Sequence, residues 1–144
     1  MQTLAAGGHP ALYGQWCHAP DRPTFLVYGH YDVQPPDPLD RWHSPAFEPE
    51  VRDGRLYGRG VSDDKGPLSI ALETLTAFLA VEGRLPVNVK LLLEGEEEVG
   101  SATLPAIFAK YPELLAADAV LSADGARWRA DLPTVTVGCR GDVG

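Results

Sequence analysis

Apolar and polar positions along the 144 residues fall into short runs whose period changes from one run to the next. Residues 1 to 22 are rich in Gly, Ala, Pro and His and show weak periodicity, with a short strand expected near Ala11 to Trp16. Thr24 to Tyr28 (TFLVY) is brief, apolar and β-branched or aromatic, which reads as a buried strand ending at Gly29. Pro35, Pro36, Pro38, Pro45 and Pro49 make residues 34 to 50 a long ordered loop. Residues 50 to 57 read as an edge strand broken by a turn at Asp53-Gly54. After a Gly-rich bend from Gly58 to Gly66, Ile70, Leu72, Leu75, Phe78 and Leu79 recur at helical spacing until Gly83 stops the helix. Residues 86 to 93 (PVNVKLLL) form a core strand, and a second helix runs from about Ala102 to Tyr111. Asp118 to Leu121 and Thr134 to Val137 read as further strands. Strands alternating with helices predict an α/β domain with a central, mostly parallel sheet flanked by helices.

Composition narrows the function. Hydrophobic residues make up 44% of the chain, enough for a buried core. A formal charge of −8 argues against nucleic acid as a partner, because phosphate binding needs a basic face. Cys17 and Cys139 stand far apart with no CxxC spacing, which suits a reducing compartment. Met1 to Gly8 lack a basic start followed by an apolar run, and no apolar stretch reaches the ~18 residues of a membrane span. The expected location is the cytoplasm, with no membrane partner.

The acids are unevenly spread, and each expected strand or bend ends in groups that bind metals. His30 and Asp32 follow TFLVYG, Asp63 follows LYGRGVS, Glu97 and Glu98 follow VKLLLEGE, and Asp124 follows DAVLSA. In open α/β sheets the ligand crevice lies beyond the carboxyl ends of the strands, so these groups should converge. Zinc takes imidazole nitrogen and carboxylate oxygen, and two zincs can share a bridging carboxylate and water. Carboxylates packed without a cation would repel, and some would take up protons. Asp32, two residues past His30, can hydrogen-bond the far ring nitrogen and fix its tautomer.

Taken singly, each piece also has a structural reading. His30 can be an ordinary strand-end residue, and Glu94 to Glu98 a solvated face. Asp63 and Asp64 can be turn and cap residues, and Asp124-Gly125 a turn pair. Gly58-Arg59-Gly60 opens like a dinucleotide loop, but Asp63 stands where the third glycine belongs.

Together, GHYDVQP (29 to 35), LYGRGVSDDKG (56 to 66) and LEGEEEVGS (93 to 101) resemble the two-zinc peptidase family of aminoacylase, carboxypeptidase G, acetylornithine deacetylase and succinyl-diaminopimelate desuccinylase. The HYDVQPPDPLDRW, EGEEEVGS and SADGARW segments look most like its carnosinase-type dipeptidases. The resemblance implies that His30 and Asp124 bind the first zinc and that Glu98 binds the second. It implies that Asp63 bridges both, with a cis peptide bond to Asp64, and that Asp32 stands behind His30. Glu97 is then the general base of a metal-assisted hydrolysis of short peptides. Cobalt or manganese could replace zinc. The alternative substrate class is an N-acyl amino acid, hydrolysed by a deacylase or desuccinylase of the same family, and a further alternative is a metal-binding fragment without catalysis.

Full members of that family are roughly three times longer. They carry an N-terminal helical segment, a lid domain inserted in the middle and a late histidine that completes the second zinc site. Residues 1–144 therefore read as a partial catalytic, zinc-binding domain, truncated at both ends and stopping near the start of the missing lid, through which the parent enzyme could form a homodimer.

Overall fold

The computed structural model describes residues 1–125, 129 and 131–136. Trp128, Val137, Cys139 and the other remaining residues lie outside it. Seven strands and three helices are described: β1 Gln2–Leu4, β2 Ala11–Trp16, β3 Thr24–His30, β4 Glu50–Arg52, β5 Arg55–Tyr57, α1 Gly66–Glu82, β6 Asn88–Glu94, α2 Leu104–Lys110, α3 Pro112–Leu115 and β7 Ala119–Ser122. Five strands form one sheet in the order β1-β2-β6-β3-β7. Its centre is parallel, β3 pairing with β6 on one side and with β7 on the other. β2 runs antiparallel to β6, and β1 to β2.

Helices cover both faces of the sheet. Leu4, Ala11, Tyr13, Leu26 and Leu92 pack against Ile107 of α2 and Leu115 of α3. On the other face Val27, Val89 and Leu85 meet Ala71 and Leu75 of α1. Lys90 is buried within β6, where its ammonium donates to the Ala116 carbonyl at 2.6 Å, at the end of α3. Cations are favoured beside the unpaired carbonyls of a helix end. Gly83 ends α1 in the left-handed region (φ 66°) and donates to the Leu79 carbonyl at 3.1 Å. No helix among the described residues is long and apolar enough to cross a membrane.

Several expectations change. β3 runs on through Gly29 to His30, because its pairing with β6 continues to the last residue, His30 opposite Glu94. Residues 50–57 are a separate two-stranded hairpin rather than an edge strand of the main sheet, with Asp53 (φ 50°) and Gly54 (φ 73°) at its turn. The second helix is broken at Tyr111, whose helical conformation Pro112 disfavours. Thr134 to Thr136 form no strand. On α1 the periodic residues Ile70, Phe78 and Leu79 are exposed, and Leu68 is its one buried residue. Val120 and Leu121 of β7 are exposed as well.

Candidate metal centre

The parallel register brings the strand ends level. His30 and Glu94 close β3 and β6 as partners, and Tyr31 donates to the Glu94 carbonyl at 2.9 Å. β7 ends at Ser122 opposite Tyr28, and Ala123 donates to the Tyr28 carbonyl at 2.7 Å. Asp124 therefore emerges beside His30. Asp63 arrives from the wide turn Val61–Lys65, where its own backbone is extended (φ −140°, ψ 101°) and its bond to Asp64 is cis.

His30 is fully buried, and its two ring nitrogens face different groups. Nδ1 lies 3.1 Å from the backbone oxygen of Asp32 and 3.3 Å from Asp32 Oδ1. Two acceptors place a proton on Nδ1. Nε2 points to Asp63 Oδ1 at 2.9 Å and Asp124 Oδ2 at 3.9 Å. One ligand atom from each of His30, Asp63 and Asp124 lies within 4.8 Å of the other two. Burial works against a charged His30, but the Asp63 carboxylate, the Asp32 carbonyl and the charges of Asp64 and Glu97 outweigh it and raise the imidazole pKa above its ordinary value. The 2.9 Å contact between Nε2 and Asp63 Oδ1 requires a proton between them when no metal is bound. An imidazole nitrogen aimed with two carboxylates at one point, its tautomer fixed from behind, fits a divalent metal of the zinc class.

Asp64 lies behind the cluster and is fully buried. Its Oδ2 accepts the His30 amide at 3.2 Å, and its Oδ1 has no hydrogen-bond partner among the described residues. Burial first, then the charges of Asp124 and Asp63, raise its pKa. Gly29 makes room for this carboxylate, since a Cβ there would stand 2.8 Å from Asp64 Oδ2.

The acidic run divides into two pairs by what each carboxylate contacts. Glu94 is buried and accepts hydrogen bonds from the Tyr28 and Ser101 hydroxyls. Burial and the adjoining Glu94 carboxylate keep the Tyr28 hydroxyl protonated. Glu96 accepts the backbone amides of His9 and Thr103, each at 2.8 Å. These two glutamates hold the loop, which leaves Glu97 and Glu98 as the candidates of the run for the site. Burial, with the charges of Asp124, Glu98 and Asp63, raises the Glu97 pKa against the opposing effect of His30. The Glu98 carboxylate is held by Gln34 and is not one of the three clustered ligand atoms. Asp32 accepts the amides of Glu97 and Glu98, so its contacts are those of a positioning residue. Sequence reasoning missed Glu94, Glu96, Gln34 and Asp64, whose partners come from elsewhere in the chain.

Residues 26–137 match the model of Peptidase family M20/M25/M40, and the chain belongs to that family. It is 36% identical over 135 residues to the human Beta-Ala-His dipeptidase, covering 92% of this chain and 27% of that protein. It is 46% identical over 80 residues to a succinyl-diaminopimelate desuccinylase from Methylococcus capsulatus, covering 56% of this chain and 21% of that protein. A crystal structure of an M20 family metallo-carboxypeptidase from Sulfolobus solfataricus superposes with a TM-score of 0.81 at 40% identity, over 87% of this chain and 28% of that one. The chain thus spans about a quarter of the length of its relatives.

Proposed function

We propose that residues 1–144 are part of the catalytic domain of a zinc-dependent hydrolase that cleaves the amide bond of short peptides, as a dipeptidase does. The observation that carries this reading is the meeting of His30, Asp63 and Asp124 at the strand ends, with Glu97 in electrostatic contact with all three. In this reading His30, Asp63 and Asp124 would hold one zinc, and Glu98 together with Asp63 would hold the second. Bound metal supplies an activated water and polarises the scissile carbonyl. Glu97 takes the water proton and returns it to the departing amine. Asp32 fixes the His30 ring and the Glu97 main chain, so base and ligand keep one geometry.

The test is Glu97→Gln in the full-length protein. The expected result is retained zinc with turnover of dipeptides down by about 10²- to 10⁴-fold, the range for a lost general base. Normal hydrolysis by that variant would falsify the mechanism. A deacylase reading is supported by the 46% identity to the desuccinylase. Turnover of N-succinyl amino acids in preference to dipeptides would select it.

A further inference from the structure

We infer that Gln34 orients the Glu98 carboxylate for the second metal of the pair, an inference that rests on the two-metal reading above. Gln34 meets Glu98 at three points. Its backbone amide donates to Oε1 at 3.2 Å, its side-chain nitrogen donates to Oε2 at 2.9 Å, and the same nitrogen reaches the Glu98 carbonyl at 3.0 Å. Both carboxylate oxygens and the main chain of one residue are therefore fixed by one partner 64 positions away.

The position of Gln34 in the chain fits this role. His30 is the last residue of β3, and Asp32 and Gln34 are alternate residues of the segment that leaves it. His30 enters the cluster, Asp32 accepts the Glu98 amide at 3.0 Å, and Gln34 takes the Glu98 carboxylate. The same segment thus sets the ring, the main chain and the side chain of three successive parts of the site. A neutral amide donor suits the task. It adds no charge to compete with the metal and uses only part of the lone-pair capacity of each oxygen. Gln34 is exposed, where an amide–carboxylate bond adds little to stability, so the triple contact is better explained by orientation than by folding.

The experiment is a zinc titration of the full-length protein by calorimetry, with melting of the metal-free form recorded alongside. Gln34→Met keeps the length and the backbone N–H but removes the amide donor. The expected result is an affinity about 10- to 100-fold weaker for one zinc of the pair, an unchanged affinity for the other and an unchanged melting temperature. Glu98→Ala is the control and should lose the same zinc altogether. Wild-type affinity at both sites in Gln34→Met, with one zinc lost in Glu98→Ala, overturns the role of Gln34 and leaves the two-metal reading standing. Equal weakening at both sites with a lower melting temperature also overturns it, since Gln34 would then merely hold the loop. Equal zinc stoichiometry in the wild type and Glu98→Ala overturns the two-metal reading itself.

Discussion

Asp32 holds Glu98 by the main chain: the Glu98 amide donates to Asp32 Oδ2 at 3.0 Å, while Oδ1 takes the Glu97 amide at 3.3 Å. Oδ1 also lies 3.3 Å from His30 Nδ1. One carboxylate therefore serves the ring of the expected ligand and the turn that carries the expected base. Asp32→Asn should break this arrangement, because either orientation of the amide sets an NH₂ group against an N–H donor. The expected loss is about 10- to 100-fold in zinc affinity and about 1–3 kcal/mol in stability. Calorimetric titration and denaturant melts of the variant measure both, and wild-type values in each would remove the positioning role.

Glu96 should act on stability and leave the metal untouched. The His9 amide, then Thr103 through its hydroxyl and its amide, hold its carboxyl below the ordinary value of 4.5. A depressed carboxyl stabilises the fold above its unfolded-state pKa, and that contribution is lost as pH falls through the folded-state value. Glu96→Ala should therefore melt at a lower temperature at pH 7, and the difference from wild type should shrink as the pH drops below about 4.5. Zinc stoichiometry should not change. A variant that loses a zinc would make Glu96 part of the site instead.

The strands and two of the three clustered residues are legible in the sequence for the same reason. Apolar runs at strand or helix period reveal β3, β6, β7 and α1, and in a parallel sheet the residues after each strand share one edge. That places His30 and Asp124 at one edge before any coordinate is known, whereas Asp63 follows the separate hairpin and reaches them only through the turn Val61–Lys65. Periodicity and composition leave Glu94, Glu96, Glu97 and Glu98 alike, and only the family resemblance singles out Glu97 and Glu98; the holding contacts of Glu94 and Glu96 come from Tyr28, Ser101, His9 and Thr103 in the fold. β1 was missed because its three residues depend on antiparallel pairing with β2. Helical spacing also overstated the core: Ile70 and Phe78 keep the period of α1 yet remain exposed.

Metal affinity should rise with pH across the titration of His30. In the metal-free protein, burial lowers the pKa of this imidazole, but Asp63 and the other acceptors raise it above the ordinary 6.5. A proton on Nε2 must leave before the nitrogen can bind zinc. Zinc affinity should therefore climb as pH rises through and beyond 6.5, and proton release on binding should be measurable by titration in buffers of different ionisation enthalpy. The same raised pKa makes the contribution of His30 to apo stability complete below the unfolded value and lost as pH rises through the folded one. An affinity independent of pH from 6 to 8, on the order of one unit either side of the imidazole range, would count against His30 as a ligand.

Two glycines at the ends of α1 should separate stability from metal binding. Gly66 has an ordinary helical conformation, but a Cβ there would lie 2.3 Å from the backbone oxygen of Val61. That oxygen belongs to the wide turn presenting Asp63 and cannot move without moving the turn. Gly83, at the other end, has nothing within 4 Å of its position for a Cβ, but its φ of 66° is strained for any other residue. Gly83→Ala should thus cost about 1 kcal/mol of stability and leave zinc binding intact. Gly66→Ala should lose zinc affinity well beyond what its melting temperature accounts for, because the displaced turn carries Asp63 away from His30. Comparing the two variants at matched stability, with Gly83→Ala as the reference, makes the distinction, and wild-type zinc affinity in Gly66→Ala would show that the turn reshapes without disturbing Asp63.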